Sequence, residues 1–125
     1  MSKTNFFEDK VLGLLRGAAY VAPATVYVGL IVSYTDGEVP TWTEASGSWY
    51  ARQPIALTAA NPTANISDIL FPAITGAGVT VVRVAVFDAL AAGNALIYND
   101  AVLAKTLGVG DQYKITVGAF THSED

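Results

Sequence analysis

Val79-Thr80-Val81-Val82-Arg83-Val84-Ala85-Val86-Phe87-Asp88 is the stretch on which the reading of the fold turns. Its side chains are mostly β-branched, a class that crowds a helix and fits a pleated strand. They are apolar at odd and even positions alike, so this strand has a cover on both faces or lies at a subunit contact. Arg83 interrupts the run and requires a carboxylate, a carbonyl or a route to water along its stem. Upstream, Gly76-Ala77-Gly78 punctuates the chain. Downstream, Ala91-Ala92-Gly93-Asn94 forms a tight link to Ala95-Leu96-Ile97-Tyr98, and the two runs pair as a hairpin. The alanines of residues 89–95 leave a helical turn as the other reading of that link.

Further strands follow outward from this pair. Thr25-Val26-Tyr27-Val28-Gly29-Leu30-Ile31-Val32-Ser33 is again apolar on both faces. Asp36-Gly37-Glu38-Val39-Pro40 supplies turn chemistry, and Thr41 to Gly47 reads as a loop carrying Trp42. A strand over Trp49–Leu57 is interrupted at Pro54, which cannot donate to a ladder. Asn61-Pro62-Thr63 is a turn, Ile66–Phe71 a short strand, and Gln112–Ala119 alternates polar with apolar. Only the start departs from this pattern. Asn5 as N-cap with Glu8, and Phe7, Val11, Leu14, Leu15 and Ala18 at helical spacing, predict a helix over residues 5–16 that stops at Gly17 with Arg16 in its last turn. The expectation is an all-β chain: one domain over residues 1–125, with an N-terminal α-helix and an antiparallel β-sandwich or jelly-roll-like body over residues 24–120.

The 125 residues are 52% hydrophobic and only 14% charged, against about 25% charged in ordinary domains. Mean hydropathy is +0.40. A small domain has much surface for its volume, so part of this apolar surface is expected to face another subunit. Gly, Pro, Asp and Arg break every apolar run before the ~18 residues a membrane helix needs, which argues against a membrane partner. A net charge of −4 argues against direct nucleic-acid binding, because no Lys/Arg footprint is available. With no Cys there are no disulfides, thiolates or Cys-based zinc sites. Acids within Phe6-Phe7-Glu8-Asp9-Lys10 interrupt any signal-peptide core, so the chain is expected to stay in the cytoplasm where it is made.

Groups that could carry chemistry are few. His122, the single imidazole, lies at the C-terminal end, and no nucleophile elbow surrounds any Ser. The close carboxylate pairs Asp36/Glu38 and Glu124/Asp125 fall in a turn and a tail, too solvated for glycosidase work and without an Asp-x-Asp-x-Asp-Gly calcium loop. Gly108-Val109-Gly110-Asp111 precedes a strand, so it reads as a hairpin-type turn and not a phosphate cradle. Asn65-Ile66-Ser67 matches a glycosylation sequon by chance. No enzyme, cofactor or metal site is expected. Trp42, Trp49, Tyr50 and Arg52 gather in a composition shared by interfaces and sugar-stacking surfaces, with packing preferred. Together with Phe7, Val11, Leu14 and Leu15 they are the interface candidates.

Ala22-Pro23-Ala24-Thr25-Val26-Tyr27-Val28-Gly29-Leu30, Tyr50-Ala51-Arg52-Gln53, Val84-Ala85-Val86-Phe87-Asp88-Ala89 with Gly93-Asn94 and Leu96-Ile97-Tyr98, and Gly108-Val109-Gly110-Asp111 stand in an order that spans most of the chain. In these stretches the chain resembles a family of small structural proteins of tailed-bacteriophage virions, the tail-fibre-like and head-decoration proteins. The resemblance implies a non-enzymatic virion component assembled in the host cytoplasm. A capsid-decoration (cement) protein is the first expectation: a homotrimer seated on the major capsid protein or other virion proteins. A tail or fibre-base component is the second, and a carbohydrate-binding module using Trp42, Trp49 and Tyr50 the third.

Overall fold

The computed structural model describes residues 2–35 and 41–122. The expected turn at Asp36–Pro40, its Asp36/Glu38 pair and the Ser123–Asp125 tail with Glu124 lie outside the described residues. In chain order the elements are β1 (Ser2–Lys3), α1 (Asn5–Leu15), β2 (Val26–Ser33), β3 (Thr43–Glu44), β4 (Gln53–Ile55), β5 (Thr63–Ala64), β6 (Ile69–Leu70), β7 (Val79–Phe87), β8 (Ala95–Leu107), β9 (Lys114–Ile115) and β10 (Thr121–His122).

Six strands form one sheet in the order β1-β8-β7-β2-β3, with β4 also on β2. All of its pairings are antiparallel, and β7 and β8 form the expected hairpin. The two strands apolar on both faces, β2 and β7, take the middle, where both faces are covered. β3 pairs with β2 at Ile31 and Ser33, and β4 pairs at Val26 to Val28, so the two share one edge of β2 end to end. Pro54 sits within β4 opposite Tyr27, on the outside of the sheet where a missing donor is tolerated.

Cross-strand register assigns the faces. Val28 stands opposite Val86, Leu30 opposite Val84, and Val86 opposite Ile97. This face meets Ile69, Ile115 and Phe120, which come from or adjoin two small ladders, β6·β9 and β5·β10. Phe71 is fully buried in this layer, stacked on Tyr50 at 6.2 Å and edge-on to Tyr113 at 6.1 Å. The layering is that of a sandwich, but the second layer is two two-stranded ladders, not a second wide sheet of jelly-roll type. Trp49–Leu57, Ile66–Phe71 and Gln112–Ala119 yield strands of only two or three residues: β6 and β9 are each other's short partners, and β4 pairs with β2 only over Val26–Val28, with β3 farther along the same edge. The opposite correction applies to β8. Its expected four residues become thirteen, since β7 offers a ladder as far as Val79.

Thr4, not Asn5, caps α1. Its hydroxyl accepts from the Phe7 N–H at 3.3 Å and lies 2.6 Å from the Ala95 carbonyl, to which it donates. Thr4 wins because it is also tied to β8, through its N–H to the Leu96 carbonyl at 2.9 Å. Arg16 closes the helix and Gly17, at φ +79°, ends it. Residues 89–94 are irregular loop, not a helical turn, and Gly110, at φ +91°, makes the turn at 108–111. That turn is not a hairpin: β8 pairs with β1 and β7, whereas β9 pairs with β6. His122 lies in strand β10 opposite Thr63, so the chain is still ordered there. No described helix is long and apolar enough to cross a membrane.

Candidate functional site

Three features outside the core gather the side chains capable of recognition. The first forms where β3 and β4 meet along β2. Leu30 falls in the gap between them, and its N–H donates to the Tyr50 hydroxyl at 3.1 Å. That hydroxyl in turn donates to Glu44. The Glu44 carboxylate also receives two N–H bonds from Arg52, each 2.8 Å, in a fork-to-fork pair. The remaining reach of Arg52 is spent on the Ala89 and Ala92 carbonyls, both at 2.8 Å, and its guanidinium lies 3.6 Å above the Phe87 ring.

Close approach at this point requires glycine. A Cβ on Gly29 would stand 2.8 Å from the Phe87 ring and 2.9 Å from the Tyr50 hydroxyl. Burial, then the hydrogen bond to Glu44, pushes Tyr50 above the ordinary tyrosine range. Burial works against the Arg52 charge, but Glu44 outweighs it and Arg52 is held above its usual value. Glu44, Tyr50 and Arg52 saturate one another and two loop carbonyls. Their combined effect is mechanical: they brace the 88–94 loop, in which Ala92 takes a φ of +54° that alanine seldom adopts. The exposed Leu90 rides on that braced loop.

The second feature lies on the same sheet face. Arg83, 2% exposed, is enclosed by aromatic rings, 3.6 Å from Tyr34, 4.3 Å from Tyr98 and 5.1 Å from Trp42. Trp42 and Tyr98 meet edge to face at 5.2 Å. The cation–π contacts favour a charge in the middle of a valine-rich strand.

The third is an apolar groove of about 520 Å³ between α1 and the sheet, lined by Phe7, Val11 and Leu14 from the helix and by Val26, Leu96 and Ile97 opposite. Leu15, expected on the same helix face, is instead 83% exposed. It stands in the last turn, and the chain leaves the helix at Gly17 without returning over it.

The interface candidates therefore separate. Phe7, Val11 and Leu14 share the groove and Leu15 faces outward. Trp49, 6% exposed, belongs to the core, Tyr50 and Arg52 to the brace, and Trp42 to the Arg83 cage, which shares the sheet face of Phe87 and lies across the sheet from Trp49. Trp42, Trp49 and Tyr50 thus form no common platform for a sugar ring. Glu44 and Gly29 were not legible as members of the brace. A buried Arg52 signals that a carboxylate is near, but sequence spacing does not say which. The Asn65 sequon is closed to modification: Asn65 is buried, its amide donating to the Ser67 and Thr116 carbonyls at 2.9 and 3.0 Å and accepting from the Phe120 N–H at 2.9 Å.

Residues 2–123 match the family described as podophage GP4 fiber I protein gp80. No curated protein matches the chain.

Proposed function

The chain belongs to this podophage fiber protein family and is a structural protein of the phage virion; from that premise we propose that it is built into the tail fibre, catalyses no reaction, and acts by packing against other virion proteins as the particle assembles inside the host cell. The fiber designation of the family supports the tail over the head. The observation that carries the packing role is the apolar exterior: Leu12, Leu14, Leu15 and Val21 are exposed in one segment of a charge-poor chain. Clustered exposed apolar side chains mark sites that a partner covers. The brace at Arg52 fits the same role, because it fixes a surface loop and leaves no reactive group free.

Gold-conjugated antibody against this chain, applied to intact particles and imaged by electron microscopy, tests the location. Gold along the fibres is expected. Gold spread over the head shell would replace this reading with head decoration.

A further inference from the structure

We propose that α1 is a contact between two copies of this chain, crossing antiparallel about a two-fold axis near Leu12. The proposal deepens the packing role above and rests on it for its biological setting.

Helical spacing divides α1 into two working sides. Phe7, Val11 and Leu14 line the groove of their own subunit. Glu8, Leu12 and Leu15 recur at intervals of four and three on another side, with Arg16 beside them. On that side Leu12 is 50% and Leu15 83% exposed, although both are good core residues. An exposed leucine pair flanked by charge is the pattern of a helix that meets another helix.

Charge complementarity identifies the occupant as a second copy. Glu8 lies four residues before Leu12 and Arg16 four residues after it, about 6 Å to either side along the axis. When two copies cross antiparallel at Leu12, the Glu8 carboxylate of each meets the Arg16 guanidinium of the other, and the pair forms twice. Parallel pairing would set Glu8 on Glu8 and Arg16 on Arg16. The helix dipoles favour the same antiparallel arrangement. Both residues are exposed and make no ion pair among the described residues of their own chain. Such surface pairs add little affinity but fix register, while the leucines supply the burial. The arrangement is isologous, as two-fold contacts are.

Sedimentation of the full chain over a concentration series tests this. A reversible monomer–dimer equilibrium is expected. Leu12→Glu combined with Leu15→Glu should weaken it more than tenfold, while circular dichroism and the unfolding midpoint stay those of the parent at concentrations where the parent is monomeric. Glu8→Arg should weaken it, and Glu8→Arg with Arg16→Glu should restore it. The chain has no Cys, so Leu12→Cys places a single thiol at the axis, and it should cross-link under mild oxidant faster than Val117→Cys, an exposed control. A chain monomeric at every concentration, a trimer without a dimer, a dimer unmoved by the leucine substitutions, a charge swap that fails to restore pairing, or equal cross-linking at positions 12 and 117 would each overturn the proposal. Its failure is separable from that of the fibre reading: monomeric protein with labelled fibres sinks only the pairing, and a dimer with labelled heads sinks only the location.

Discussion

Phe71 and Leu15 are both large apolar side chains, yet the first is fully buried and the second is 83% exposed. The contrast extends to their surroundings. The inner sheet face is roofed by two ladders and closes around Phe71, Leu30 and Val28. Helix α1, by contrast, is attached through Thr4 and the packing of Phe7 against the core, and Gly13 is its one buried residue. One region uses its hydrophobic residues to hold the chain folded. The other keeps a share of them outside, where they add nothing to the stability of a lone molecule and are available to a neighbour.

Substitutions should separate the two regions by magnitude. Phe71→Ala removes a ring packed between two others and should cost about 3–5 kcal/mol in urea unfolding. An unchanged midpoint would mean that the inner face is not what holds the fold. Arg52→Ala strips the Glu44 carboxylate of its two charged donors and should cost about 1.5–3 kcal/mol, with faster amide hydrogen exchange confined to residues 88–94. Exchange rising evenly along the chain would show that the brace is not local. Leu15→Ser should change stability by no more than about 0.5 kcal/mol, as exposed substitutions do. A loss as large as that of Arg52→Ala would place Leu15 among the residues that hold the monomer together and erase the contrast.

Legibility in the sequence follows the same division. The central strands were readable because β2 and β7 are buried on both faces and their composition says so without help from any other segment. The helix was readable to within one residue at its C-terminal end, where Arg16 proved to be the cap, because local spacing and capping act within a turn or two. The ladders were not, since a strand of two residues is defined by the partner that reaches it and not by its own pattern. The brace shows the same limit. Arg52 advertised a need for a carboxylate, but Glu44 became its partner only because β3 and β4 lie end to end along β2.

By itself the sequence determined a charge-poor, strand-rich chain with one N-terminal helix, because side-chain shape and hydropathy act on the nearest few residues. Only the tertiary structure decided which apolar groups go inside, which carboxylate meets Arg52, and that Trp42 parts company with Trp49 and Tyr50. Those outcomes depend on register between segments far apart in the chain, and a shift of one residue exchanges the two faces of a strand.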